Sequence, residues 1–233
     1  FTGIIRDDQG QKMSKSLDNF WTVRDILKTY HPDIVRFFML TAHYRKSISY
    51  SEEALEEARS RTVYLYSTIS RLDGFIHKSE QIDPEGKHLQ EELINQFWER
   101  VFGVMDDDFN TPRLIAAITE LAKTANELMP KNLKKIKDES LLRTIIRLKS
   151  YLISASKMIG MLSSPVDSCL DNIRHLRIKQ KGLEVDQIEA LIQARSQARA
   201  EKDWEKADTA RNKLGEMGVS IMDSTDGTTW DVV

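Results

Sequence analysis

The sequence predicts a mainly α-helical chain, on three observations. Four long stretches carry apolar residues at intervals of three and four, the spacing that gathers them on one face of a helix. Signals that start and stop helices stand at their ends: Ser51 before Glu52 and Glu53, Thr111 before Pro112, Pro130, and Gly218. Strand-like runs are confined to the two extremes of the chain.

In order, Phe1 to Ile5 form a short apolar strand that starts without an initiator methionine and reads as cut from something larger. A turn at Asp7-Asp8-Gln9-Gly10 comes next, then a loop of lysines and serines ending at Asn19. Two short helices succeed it. The first starts from Thr22 with Val23, Ile26 and Leu27 on one face; Pro32 opens the second, with Val35, Phe38 and Met39 inward. The first long helix begins after Ser51 and places Leu55, Ala58, Thr62, Leu65, Ile69, Leu72 and Ile76 on one stripe. Beyond a turn at Asp83-Pro84-Glu85-Gly86, Leu93, Phe97, Val101 and Val104 mark the second. The third opens with Thr111 as N-cap, carries Leu114, Ile118, Leu121, Ala125 and Leu128, and closes at Pro130. The fourth runs from about Glu139 to Met161, with Leu141, Ile145, Leu148, Leu152, Ala155, Ile159 and Leu162 inward. Four such stripes predict an antiparallel helical bundle, and the absence of sustained heptads or a fixed repeat excludes a coiled coil and a solenoid.

After Pro165 the pattern changes. Residues 166–185 lose the helical period, while Arg174, His175, Arg177, Lys179 and Lys181 stand with no acid between them, which reads as a basic linker. A helical hairpin is predicted from Asp186, with Ile188, Leu191, Ile192 and Ala198 on one helix and Trp204, Ala207, Ala210, Leu214 and Met217 on the other, Trp204 among the core. Val219 to Met222, a turn at Asp226-Gly227, and Thr229 to Val232 predict a closing β-hairpin. The expected organisation is residues 1–50 ahead of the bundle, the bundle over 51–165, the linker over 166–185, and a small module over 186–233.

Composition sets limits on function. Thirty-four lysines and arginines against 36 acids leave a net charge of -2, so a nucleic-acid site must come from local patches. The one cysteine, Cys169, excludes an intramolecular disulfide and a Cys-pair zinc site, and suits a reducing compartment, with the cytoplasm expected. The longest apolar runs, such as Phe37 to Leu40, fall far short of the roughly 20 residues a bilayer span requires.

The loop Lys12-Met13-Ser14-Lys15-Ser16 is where chemistry is expected. When a carboxylate attacks the α-phosphorus of ATP, negative charge builds on the departing pyrophosphate; ammonium groups on flexible stems and hydroxyl donors stabilise it. An arbitrary lysine–serine loop would be a solvated turn. This pentapeptide, however, is the KMSKS signature of class I aminoacyl-tRNA synthetases, and as in that family it succeeds a strand and turn and precedes a helix. The resemblance implies that Lys15 contacts the triphosphate, with Lys12 and Ser14 supporting the loop. The family usually has glycine after KMSKSL, whereas this chain has Asp18, whose carboxylate either caps the next helix or weakens the attraction for phosphate.

The residues beyond the loop narrow the class. Phe20 to Asp25, Val35 to Arg45 and Tyr50 to Glu53 closely resemble the segment after that loop in cysteinyl-tRNA synthetases. Met105-Asp106-Asp107-Asp108-Phe109-Asn110-Thr111-Pro112 is similar to that family's most recognisable stretch in the helical domain. Trp204 to Asp208, Arg211 and Gly227 to Trp230 resemble its anticodon-binding module. The resemblance implies a class I anticodon-binding bundle, preceded by the last strand of a nucleotide-binding domain. It implies the C-terminal half of a monomeric ligase that joins cysteine to tRNA(Cys) with ATP. The family's His-Ile-Gly-His segment and its zinc ligands, which select cysteine through a metal–thiolate bond, belong to an N-terminal half not found here. These residues alone are therefore expected to bind tRNA weakly and to make no adenylate.

For the nucleic acid, Arg195, Arg199 and Arg211 are candidates for phosphate or base contacts and Asp208 for a base amino group; an Arg199–Asp203 ion pair is the ordinary alternative. Trp230 either stacks on a base or covers the hairpin. The basic run from Lys131 to Lys149 and the linker strip suit phosphates. Asp106 to Asp108 read as a cap and turn ahead of a metal site, and His43 as a hydrogen-bonded histidine ahead of a catalyst. Two other classes stay open: a helical tRNA-binding module without catalysis, and a cysteine–sugar ligase using the same adenylate chemistry, against which the anticodon-like end speaks.

Overall fold

The computed structural model describes residues 5–7, 9–17, 21–77, 86–130, 138–224 and 227–232; the side chains of Lys15, Ser224, Gly227 and Thr229 fall outside that description. The chain divides into two compact units, Phe1–Leu27 with His31–Leu170, and Lys28–Tyr30 with Asp171–Val233. The strand expected over residues 1–5 is described from Ile5 onward, and the turn at 83–85 and the lysines at 131–137 lie outside the described residues.

In the first unit, β1 (Ile5–Arg6) pairs in parallel with β2 (Ile48–Ser49), Ile5 opposite Ile48. Between them lie α1 (Val23–Ile26), capped by the Thr22 hydroxyl, which accepts the Asp25 N–H at 3.1 Å, and α2 (Pro32–Leu40). Pro32 supplies the first helical residue of α2, where its missing N–H costs nothing, and His31 caps it through Nδ1, which accepts the Asp33 N–H at 3.2 Å. The expected faces hold at Val35 and Phe38 and are corrected at Val23, Leu27 and Met39. Val23, Leu27 and Met39 are exposed, and α2 buries Ile34, Val35, Phe37 and Phe38. The four residues of α1 are too few to form a buried stripe.

The bundle consists of α3 (Glu52–His77), α4 (Glu91–Asp106), α5 (Thr111–Leu128) and α6 (Glu139–Met158). The Ser51 hydroxyl caps α3 by accepting the Ala54 N–H at 3.1 Å. Helix α5 packs on α4 and α6, α3 on α5 and α6, and α2 on α3 and α5. Their shared core includes Leu55, Leu65, Leu72, Leu114, Ile118, Leu121, Ile145, Leu148 and Leu152, all nearly or fully buried. Each such side chain contributes about 1.5–3 kcal/mol by leaving water. Details of phase differ from expectation: Ile94 is buried and Leu93 half-buried, Phe75 replaces Ile76, and Leu142 replaces Leu141. The N-cap of α5 is Asn110, one residue before the expected Thr111, whose hydroxyl instead donates to the Leu40 carbonyl at 3.0 Å. Helix α6 stops at Met158, three residues early, because Gly160 turns left-handed at φ 72° and its carbonyl accepts from Arg36 Nη1 at 2.8 Å.

Behind the bundle core is a buried polar cluster. Tyr66 donates to Asp33 Oδ2 at 2.6 Å, and Cys169 Sγ lies 3.7 Å from His31 Nδ1. Burial pushes the Cys169 thiol up to about 11 and lowers His31, against the opposing pull of Asp33.

Residues 166–181, expected to lack helical structure, instead form α7 (Val166–Lys181). No glycine or proline interrupts them, and Lys179 and Lys181 favour the negative end of the helix. The period was hidden because the buried Cys169 and Ile173 share a face at i and i+4 but the buried Ile178, five residues further on, falls off it.

In the second unit, α8 (Val185–Ala200) and α9 (Trp204–Glu216) form the predicted hairpin, and β3 (Val219–Ser224) pairs antiparallel with β4 (Gly227–Val232), Ile221 opposite Trp230. Gly218, at φ 71°, ends α9 as expected. Ile188, Leu214 and Val219 make the core, with Leu183, Leu191, Ile192, Met217, Ile221 and Trp230 packed around it. The turn between α8 and α9 is tight: Asp203 N–H bonds the Ala198 carbonyl at 2.8 Å across Lys202, itself left-handed at φ 61°.

Candidate functional site

The Lys12–Ser16 loop is built on β1. The Asp7 carboxylate accepts the Gln9 and Gln11 N–H groups at 3.1 and 2.7 Å, Gly10 supplies a positive φ of 78°, and Arg6 Nη1 closes the turn on the Gly10 carbonyl at 2.9 Å. The chain returns antiparallel, with a bridge between Arg6 and Lys12 and a Met13 N–H bond to the Ile5 carbonyl at 3.1 Å. One 3-10 turn, Lys15–Leu17, comes next, closed by the Leu17 N–H on the Ser14 carbonyl at 3.2 Å. Lys12 is exposed, and the hydroxyls of Ser14 and Ser16 lie 3.1 Å apart. The side chain of Lys15 and all of Asp18 lie outside the described residues.

The C-terminal module holds the other candidates, in an arrangement the sequence did not foretell. Arg195 grips Asp223 with two bonds of 2.8 and 2.7 Å, and Arg199 Nη1 reaches the same carboxylate at 2.5 Å. Thr228 donates to it at 2.8 Å. These donors, Arg195 first, hold the Asp223 carboxyl far below the usual carboxylate range. Arg199 is thus paired with Asp223; Asp203, its expected partner, caps α9 and pairs with Lys206 at 2.8 Å. Asp208 lies close enough to Arg195 to add to the charge holding that guanidinium protonated, after Asp223.

The two tryptophans differ in placement. Trp204, expected in the core, is 61% exposed at the first position of α9, where no preceding turn covers it. Trp204, Asp208 and Arg211 stand at i, i+4 and i+7, so an aromatic ring, an acid and a guanidinium share one exposed face. Trp230 is half-buried against the module core, with the Arg174 guanidinium 5.7 Å from its ring centre. That Trp204 face was legible in the spacing, had the first turn been recognised as uncovered.

Within the described part of the expected basic strips, three cations stand in ion pairs. Arg143 meets Glu139 at 2.6 Å, Lys149 meets Asp73, and Arg174 meets Asp171 at 3.1 Å. Asp108 binds Tyr44 and Arg45, and His43 Nε2 bonds the Asp108 carbonyl at 3.1 Å. Among the described residues no helix is long and apolar enough to cross a membrane, and no three His, Cys, Asp or Glu side chains are placed to hold a metal ion.

A lysine–serine loop on a strand, a helical bundle and a small helical-hairpin module, in that order, are the parts of a class I aminoacyl-tRNA synthetase. Residues 2–60 match the family described as tRNA synthetases class I (C) catalytic domain, residues 100–163 the DALR domain, and residues 184–230 the cysteinyl-tRNA ligase anticodon binding domain. Over 229 residues the chain is 38% identical to a cysteine–tRNA ligase of Enterobacter sp. (strain 638) and 39% to that of Pasteurella multocida (strain Pm70). It is 36% identical to that of Escherichia coli O157:H7. Each alignment covers 98% of this chain and 44% of the relative, so the chain spans under half the length of the relatives it matches. Together these matches support a fragment of a cysteinyl-tRNA synthetase. In fold alone it also resembles the LeuRS of Agrobacterium radiobacter K84 in a ternary complex with tRNA and LeuAMS. That likeness has a TM-score of 0.51 and 20% identity over 71% of this chain and 23% of that one.

Proposed function

We propose that these residues are the loop-bearing and tRNA-holding portion of a cytoplasmic, monomeric cysteine–tRNA ligase. It activates cysteine with ATP to cysteinyl-adenylate and transfers the cysteinyl group to tRNA(Cys). The observation that carries this reading is the order along one chain: KMSKS loop, bundle, anticodon-type module. In the first step the cysteine carboxylate bonds to the α-phosphorus and the bond to pyrophosphate breaks; in the second, a tRNA hydroxyl displaces AMP. Lys15, supported by Lys12 and the Ser14 hydroxyl, stabilises the charge on pyrophosphate as it leaves. Zinc, which would hold the cysteine thiolate, is assigned by this reading to residues outside this chain.

For tRNA, the exposed ring of Trp204 offers a stacking surface, Arg211 and Asp208 flank it with a donor set and an acceptor, and Arg195 and Arg199 stand fixed by Asp223. Alanine at Trp204 should lower tRNA affinity by about 1–3 kcal/mol if a base stacks there. Trp230 serves the module's stability.

The experiment is cysteine-dependent exchange of pyrophosphate into ATP, together with cysteinylation of tRNA, by the full natural chain containing these residues. Lys15→Ala should lower exchange by roughly a hundredfold and leave tRNA affinity unchanged. Absence of exchange in the wild-type chain would sink the ligase. Residues 1–233 alone should bind tRNA and catalyse no exchange; exchange by them would overturn that part. Indifference of binding to the anticodon would favour the cysteine–sugar ligase.

A further inference from the structure

The turn between α4 and α5 is strained. Asp108 and Phe109 are adjacent non-glycine residues at φ 55° and 53°, a region L residues avoid. Packing does not hold them there, since Phe109 is 64% exposed. Polar contacts do. Tyr44 donates to Asp108 Oδ1 at 2.6 Å, and Arg45 forks onto both carboxylate oxygens at 2.6 and 3.1 Å. His43 completes the clamp: its Nδ1 accepts the Arg45 N–H at 3.3 Å, so Nε2 carries the proton and donates to the Asp108 carbonyl at 3.1 Å. Arg45 first, then Tyr44, hold the Asp108 carboxyl down to about 2.

The clamped residues lie just before β2. Ile48 and Ser49 lie alongside β1, and the Tyr50 N–H bonds the Arg6 carbonyl at 2.7 Å. The β1 carbonyl of Ile5 in turn receives Met13, and Arg6 bridges Lys12. On its bundle side, β2 faces a cavity of about 630 Å³ lined by Phe38, Ile48, Ser49, Ala58, Ile115 and Thr119 among others. The Tyr50 ring, edge-on to Phe38 at 6.1 Å, packs at the end of the strand but leaves this cavity open, and the polar clamp adds a second hold beside it.

We propose that Asp108 is a positioning residue for the Lys12–Ser16 loop: by anchoring Tyr44 and Arg45 to the strained α4–α5 turn, it sets β2 against β1 and so fixes the base of the loop. Its effect on chemistry rests on the proposed action of this loop on ATP.

The test compares wild type with Asp108→Asn in the full natural chain. Asparagine tolerates the left-handed backbone and still accepts from Tyr44, but removes the charge that Arg45 grips. Amide hydrogen exchange at Met13 and Tyr50 should quicken roughly tenfold, with amides of α5 and α6 unchanged. The kcat of pyrophosphate exchange should fall roughly tenfold, with KM for ATP and tRNA affinity within about twofold. Arg45→Met should reproduce these effects, and the double variant should add nothing further. Unchanged exchange at Met13 and Tyr50 in both variants overturns the proposal, as does equal acceleration throughout the bundle. If those amides quicken while pyrophosphate exchange is intact, the positioning stands and the assignment of the loop to ATP fails.

Discussion

Replacing Tyr66 by phenylalanine isolates one oxygen in a buried polar contact between α2 and α3. Tyr66 is 0% exposed in α3, and its hydroxyl donates to Asp33, itself 6% exposed, at 2.6 Å. Burial first and that bond second raise the phenol far above its ordinary pKa of 10.0, so it stays a donor at every working pH. Phenylalanine keeps the ring and its packing and leaves the buried Asp33 carboxyl one donor short. A hydrogen bond to a charged group is worth about 1.5–3 kcal/mol, and a chain of this size loses roughly 2–4 °C per kcal/mol, so the melting temperature should fall by roughly 3–12 °C. The measurement is thermal unfolding by circular dichroism at neutral pH, read at the transition of the unit that contains α2 and α3. Asparagine at position 33 is neutral and needs that donor less, so Tyr66→Phe and Asp33→Asn should couple by about 1 kcal/mol in a double-mutant cycle. A shift below about 1 °C, or strict additivity, would show that the contact carries no net stability.

Other contacts carry outcomes of their own. His31 is lowered from 6.5 by burial, so the unfolded chain binds its proton more readily. Stability is complete above that value and declines as pH falls from it toward the lower folded-state pKa. Urea midpoints across that range should show the decline, and His31→Asn, which keeps a cap, should flatten it. Gly160→Ala places a Cβ 1.9 Å from Arg36 Nη1 at a φ of 72°; the guanidinium can swing aside but the backbone cannot, so a loss of about 1–3 kcal/mol is expected in urea unfolding. Asp223→Asn removes the shared partner of Arg195 and Arg199. Because that carboxylate is 40% exposed, solvent screening limits the expected loss to about 1 kcal/mol, measurable as a lowered midpoint for the C-terminal unit.

The helices were legible wherever caps and period agreed, as at Ser51 and Gly218. Their phase was not, where two apolar residues adjoin. At Leu93-Ile94, Phe75-Ile76 and Leu141-Leu142 the period permits either member inward, and the neighbouring helix decides. Helix α7 escaped notice because its buried residues Cys169, Ile173 and Ile178 do not keep one helical stripe. The Lys12–Ser16 loop was legible because its signature is local, though its chief lysine has a side chain outside the described residues. Trp204 was misread because a stripe is covered along its whole length only when packing reaches its first turn. The Asp108 clamp joins residues more than 60 positions apart, and nothing in either segment names the other.

The tight α8–α9 turn has a consequence for how RNA would be met. Arg199, Trp204, Asp208 and Arg211 ride on helices whose junction is already closed by the Asp203 bond across Lys202 and backed by the paired strands. A ligand docking there orders a few side-chain rotamers and little backbone. Association would then show a modest heat-capacity change and a rate set by encounter, as for rigid surfaces, in contrast to the large negative heat capacity of segments that fold as they bind.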